Sequence, residues 1–267
     1  MSSSAGHNWN RPTVFYNHAV KWIFYSVVVF FITWSIWGLW VPLDRLLLGV
    51  QEAQRIFSQM VPPNFGSRQR ALIWTGIIES LSMSIIATTA GVTLALPIAF
   101  MSAKNIAPRP IYFIGRIMAS GSRTFHSLIL ALVMVKLLGV GPLAGIVTMS
   151  ILSVGFFAKL LSEDIEDINS EQVEAVRATG ANRFQVLLYG VLPQILPRIF
   201  GLSVYTWDIN LRSSTIVGIV GAGGIGITLS NSFNAYQYGF SASILLVIIT
   251  IVLFGEFVSA VVRRRYQ

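Results

Sequence analysis

WIFYSVVVFFITWSIWGLWV, residues 22–41, holds no charged side chain. At 1.5 Å of rise per residue, a helix of that length crosses the ~30 Å hydrocarbon layer of a bilayer. The run is too long for the apolar core of a signal peptide, and no small-residue cleavage pattern follows it, so it reads as a retained span. The rest of the chain agrees. Of 267 residues, 54% are hydrophobic and 11% are charged, against roughly 25% charged in a typical soluble domain. That is too few charges to coat a soluble fold, and a bilayer removes the need.

Five further apolar runs follow, at about 72–102, 112–138, 143–161, 192–212 and 239–262. The pattern predicts an all-α polytopic membrane protein with about six transmembrane helices. Between the first two runs, Leu43, Leu46, Leu47, Val50, Ile56 and Phe57 recur at near-helical spacing among Asp44, Arg45, Glu52 and Arg55. This suits an amphipathic helix lying in the interface, closed by Pro62 and Pro63. Residues 1–70 thus form an N-terminal span plus interfacial segment, and 71–267 form a transmembrane core. The segments between spans place Lys104, Arg109, Arg116, Lys159, Arg177, Arg183, Arg198 and Arg263 to Arg265, with Arg11 and Lys21, on one side. The long segment on the other side holds only Arg45, Arg55, Arg68 and Arg70. Lys and Arg gather in cytoplasmic loops, which predicts both termini in the cytoplasm.

The formal net charge of +8 is accounted for by this topology, so no nucleic-acid partner is expected. The chain has no cysteine, which excludes disulfides and thiolate metal sites. His7, His18 and His126 are isolated, so no metal site is expected. No G-x-x-x-x-G-K-[ST] occurs, and the backbone cradle that holds ATP phosphates is therefore missing. Gly221 to Gly226 formally matches G-x-G-x-x-G, but no acidic residue stands about 20 positions on, as a dinucleotide site requires. It reads better as a bent or re-entrant segment, which glycines allow where the backbone is buried in protein. Nothing resembles a catalytic constellation, so the chain is not expected to be an enzyme.

Between the fourth and fifth runs lies a polar segment, EAVRATGANRFQVLLYGVLP, residues 174–193. It is helical in character and breaks at Gly180. A short helix held between two spans makes a rigid cytoplasmic handle beginning near Glu174. Ala175, Ala178 and Gly180 are small enough to admit another surface, while Arg177 and Arg183 offer polar contacts. Pro193 can open the following helix, because its missing N–H is no loss in the first turn.

Here the sequence resembles the EAA loop of ABC importer permeases, with the spacing Glu-Ala-x₄-Gly-x₁₁-Leu-Pro. In that family the loop forms a coupling helix that docks in a groove on the ATPase subunit. Two positions depart from the usual pattern: Val176 stands for an alanine and Gly190 for a branched apolar residue. Gln185–Arg198, Tyr205–Arg212, Gly218–Gly226, Ser122–Phe125 and Gly139–Gly145 look like the corresponding segments of phosphonate permeases, an overlap of roughly residues 70–265. The resemblance implies a type I ABC importer permease fold in a bacterial inner membrane. It further implies a homodimer, two cytoplasmic ABC ATPase subunits that bind ATP and Mg, and an extracytoplasmic substrate-binding protein. No cofactor is expected in this chain. The implied cargo is a phosphonate or a related small phosphorus oxyanion such as phosphite. The alternative is a secondary transporter or channel for a small anion, working without an ATPase.

Charges inside spans are costly and default to functional hypotheses. Glu79, Arg123, Asp208 and Arg212 are the candidates, and Asp208 and Arg212 share a helix face at i,i+4. Arg123, His126, Asp208, Asn210, Arg212 and Ser213 are the expected pathway or gate residues, with a structural ion pair as the plainer reading of the charges.

Overall fold

The computed structural model describes residues 17–39 and 42–266, and every regular element among them is helical. His7, Arg11 and the end of the first expected span, Trp40 and Val41, lie outside the described residues. The chain divides into two compact units, Met1–Ile56 and Phe57–Gln267.

The first unit holds α1 (His18–Leu39) and most of α2 (Leu43–Met60). α1 is apolar all round, as a lipid-facing span should be. α2 sets Leu46, Leu47 and Val50 beside an exposed Glu52–Arg55 ion pair at 3.7 Å. Asp44 stands in its first turn, where the helix dipole favours an acid. The helix ends at Met60, just before the Pro62–Pro63 pair.

The second unit runs α3 (Ser67–Ser102), α4 (Arg109–Arg123), α5 (Ser127–Leu138), α6 (Pro142–Glu166), α7 (Ser170–Ala178), α8 (Arg183–Val186), α9 (Leu192–Ile219), α10 (Ile225–Asn234) and α11 (Tyr238–Tyr266). α3 and α6 are antiparallel. At one end, Lys104 N donates to Glu166 Oε1 at 2.8 Å and Asn105 Nδ2 to the Ile165 carbonyl at 2.7 Å. At the other, Gly145 of α6 lies against Met83 of α3. Between them, Ala95, Ala99, Ala119 and Ala158 pack around Phe157, Leu161 and Ile195. Small residues let helix backbones approach, and in lipid that contact replaces the hydrophobic drive.

The expected third span, 112–138, is not one straight helix: α4 and α5 meet at 88°. The cause is local. The Thr124 N–H turns back to the Gly121 carbonyl, closing α4. His126 then takes extended backbone angles, and its Nδ1 accepts from Leu128 N at 3.4 Å, opening α5. The bent pair starts at the Glu166 end of the bundle. It finishes where Gly141 N donates to the Gly221 carbonyl at 3.0 Å and Pro142 opens α6. It therefore joins opposite ends and counts as one crossing. With α1, α3, α6, α9 and α11, six crossings are present among the described residues.

The glycine-rich segment, which reads in the sequence as a break over about 217–226, is shorter than that. α9 continues to Ile219, and only residues 220–224 leave the helix. α10 then folds back onto α9 so closely that Gly218 and Gly226 touch backbone to backbone, where any side chain would collide. Ser80 Oγ accepts from Ile225 N at 2.9 Å, fixing the return to α3. Asn64 N donates to the Gly239 carbonyl at 2.9 Å, so α11 starts beside α3 and ends at the α7–α8 end of the bundle.

Candidate functional site

The polar segment after α6 folds as a clamped lever. Asn169 caps α7 by accepting from Glu171 N at 2.9 Å, which satisfies one of the open N–H groups of the first turn. Gly180 follows at φ +82°, a left-handed angle at which a glycine ends a helix without strain. Asn182 and Gln185 form a capping box, each side chain accepting from the other's backbone N–H at 2.9 Å, and so start α8. Residues Leu187–Val191 make a π turn that leads into α9 without a gap. Pro193 stands in the first turn of α9, as the sequence implied, but helix already precedes it.

Gln194 holds the lever to the span. Its Oε1 accepts from Asn169 N at 3.0 Å, and its Nε2 donates to the Asn169 carbonyl at 3.4 Å and to the Gly190 carbonyl at 2.7 Å. Val173 and Val176 turn inward over Gly190. Glu174, Ala175, Arg177, Ala178, Gly180, Arg183 and Pro193 all remain exposed. The small and charged residues singled out in the sequence are thus exposed together with Phe184 and Tyr189, while Val173, Val176 and Val186 turn toward the bundle. Gln194 and Asn169 were missed by sequence reasoning, because a glutamine in the first turn of a span carries no signal until its partner's position is known.

The expected pathway residues separate into three groups. Asn210 is buried, and its Nδ2 donates to Thr88 Oγ1 at 2.9 Å and to Ser153 Oγ at 2.9 Å. It ties α9 to α3 and α6 in the middle of the bundle. Asp208 and Arg212 form an ion pair through Oδ2 and Nη2. The Asp208 side chain is 2% exposed and that of Arg212 is 42% exposed. Oδ1 of Asp208 is buried without a hydrogen bond from any described residue and points toward Gly255 of α11. Ser213 is half-buried next to Arg212. Arg123 and His126 are exposed at the knee between α4 and α5, and Arg123 makes no ion pair among the described residues. Glu79, half-buried on α3, places Oε1 against Gly223 of the turn between α9 and α10.

Residues 91–267, which contain the lever and every expected pathway residue, match the family of binding-protein-dependent transport system inner membrane components. The chain is 38% identical over 223 residues to the phosphite transport system permease protein PtxC of Stutzerimonas stutzeri, covering 83% of this chain and 80% of that protein. It is 39% identical over 211 residues to the phosphate-import permease protein PhnE of Mycolicibacterium smegmatis, where the match spans 79% of this chain and 40% of that longer protein. In three dimensions it resembles a chain of the inward-facing MetNI methionine ABC transporter, with a TM-score of 0.68 at 21% identity over 76% of this chain and 100% of that one. The fold is that of type I ABC importer permeases. These relationships decide against a transporter working without an ATPase. The chain therefore belongs to the binding-protein-dependent transport system inner membrane components: it is an inner-membrane permease subunit of an ABC importer, and ATP hydrolysis falls to a partner ATPase.

Proposed function

We propose that the chain translocates a small phosphorus oxyanion, phosphite or a phosphonate, as one of two identical copies flanking a pore. Two cytoplasmic ABC ATPases, which carry the ATP and Mg, dock on the exposed side of α7 and α8, and an extracytoplasmic binding protein delivers cargo at the opposite end. Both termini of the chain lie in the cytoplasm. The observation that carries this reading is the lever itself: Gln194 fixes it to α9 from within, while its outer side offers small residues flanked by Arg177 and Arg183. Closure of the ATPase pair moves α7 and α8, and α9 carries the movement toward Asp208 and Arg212. The free energy enters as the difference in ATP affinity between the two states. Arg123, His126, Asp208, Arg212 and Ser213 line or latch the route, and Asn210 braces it. The 38% identity to a phosphite permease supports the choice of cargo.

The test is uptake of labelled phosphite and methylphosphonate into vesicles holding this chain, its ATPase and its binding protein. ATP-dependent uptake of either is expected. Gly180→Trp, whose Cβ meets nothing within 4 Å although φ +82° strains any side chain there, is expected to insert normally and hydrolyse ATP without uptake. Normal coupled uptake by that variant would remove the docking role, and uptake of neither anion would remove the cargo.

A further inference from the structure

Helix α4 carries Arg109, Arg116 and Arg123 at intervals of seven residues. Seven residues rise about 10 Å and drift only about 20° around the axis, so the three side chains share one stripe. Ser120 falls on the same stripe, between the upper two. Gly115 and Ala119 are buried on one flank, Phe113 and Ile117 border the stripe on the other, and Ile111, Ile114 and Met118 cover the far side. No acidic residue occurs in α4, and none of the three arginines forms an ion pair among the described residues.

Neighbouring contacts set the depth of each. A Cβ on Gly115 would meet the Met101–Ser102 backbone at 2.8 Å, so Arg116 stands level with the end of α3. Cγ of Arg123 lies 3.0 Å from where a Cβ of Gly155 would be. Gly155 is about 16 Å along α6 from Glu166, well inside the span. Arg123 is nevertheless exposed. A lone arginine at that depth is expensive against lipid and is found facing a water-filled cavity. The 88° knee directly after it leaves the basic stripe confined to the inner half of the crossing.

We propose that this stripe is the inner half of the anion route, passing a phosphorus oxyanion from Arg123 at the knee past Arg116 to Arg109 at the α7–α8 end; this rests on the oxyanion reading above. Guanidinium forks match the paired oxygens of a phosphite or phosphonate. Stations about 10 Å apart, each shallow, let an anion enter and also leave, as conduction requires. Lipid phosphate offers the same chemistry to Arg109 and Arg116 near the interface. Arg123, two turns deeper, separates the two sources.

The chain has no cysteine, so a single replacement is its sole labelling site, and the label is read on this chain after separation from its partners. In the assembled importer in vesicles, Ser120→Cys and Met118→Cys are exposed to an anionic methanethiosulfonate, and phosphite uptake is measured for Arg123→Gln and Arg123→Lys. The stripe predicts that Ser120→Cys reacts about tenfold faster than Met118→Cys, that phosphite slows it, and that Arg123→Gln lowers uptake about tenfold with partial recovery in Arg123→Lys. Equal sluggishness of the two cysteines overturns the proposal even if Arg123→Gln fails to assemble. Wild-type uptake by Arg123→Gln overturns it too, as does an Arg123 effect that disappears in phosphatidylcholine vesicles lacking anionic lipid. Fast labelling of Ser120→Cys that sulfate but not phosphite slows supports the anion route and removes the cargo reading alone.

Discussion

Gly190 faces Val176 across the joint between α7 and the π turn: a Cβ added to Gly190 would stand 3.7 Å from Val176 Cβ and 3.4 Å from Val173 Cα. These are the two positions at which the lever departs from the usual EAA pattern, and they are neighbours. A large residue has replaced a small one on one side of the joint, and a glycine has replaced a branched residue on the other. The two carbons gained at Val176 offset part of the volume lost at Gly190, which is how packed interiors tolerate change.

The exchange predicts a specific coupling. Gly190→Ala adds a Cβ at ordinary contact distance and is expected to be nearly neutral. Gly190→Leu overpacks the joint and is expected to cost about 1–3 kcal/mol while lifting α7 from α9. Val176→Ala in the same chain is expected to recover most of that loss. Thermal unfolding of the single and double variants in detergent, read as a double-mutant cycle, checks it; additive losses would mean that the two residues are independent.

Gln194 makes three hydrogen bonds that hold the start of α7 and the π turn. Each is worth about 1 kcal/mol net. Gln194→Ala is expected to leave the spans intact but to speed amide exchange across residues 170–178 and to lower uptake per ATP hydrolysed. Exchange mass spectrometry and coupled transport measure the two together, and unchanged protection of α7 would show that the clamp is idle.

Asn210 bonds Thr88 and Ser153 from within the bundle. Interhelical hydrogen bonds in membranes average about 0.6 kcal/mol and reach about 1.7. Asn210→Ala is therefore expected to lower stability by about 1–3 kcal/mol, since a cavity adds to the lost bonds. The loss should appear in the melting temperature, with substrate affinity unmoved. A change in uptake KM with a normal melt would place Asn210 on the route instead.

The Asp208–Arg212 pair is lopsided, and its variants should be too. Arg212→Gln strands a carboxylate that is 2% exposed, at a cost of about 3–5 kcal/mol for a buried charge without its partner. Asp208→Asn strands an arginine that is 42% exposed, whose long side chain can turn to another partner, so its cost is expected to be the smaller of the two. Equal destabilisation of the two variants would argue against the difference in burial.

The parts of this molecule that were readable in the sequence are local. A charge-free run such as residues 22–41 reports its own environment, and the lever spells out its caps, its break at Gly180 and its small residues within twenty positions. The knee after Arg123 was hidden because residues 112–138 are apolar enough on average to pass as one helix. Only the polar run Ser122–His126 marked it, and polar side chains also occur within unbroken spans. The partners of Asn210 lie 122 and 57 residues away, so its bracing role exists only in the packed bundle. For the same reason, Arg109 and Arg116 registered in the sequence as topology markers and not as steps in line with Arg123.

From Arg183 to Ile219 the backbone is helical throughout, α8 passing through the π turn into α9 over 37 residues. Arg183 and the guanidinium of Arg212 therefore sit on a single shaft, like two points along a tiller. No loop intervenes between these two, so a push on the proposed docking surface at α8 passes along the helix as tilt or rotation of the whole rod. Torque can be taken up or released at the wide turn at Leu187–Val191, beside the joint where Gly190 and Val176 meet, and again at Pro197 within α9.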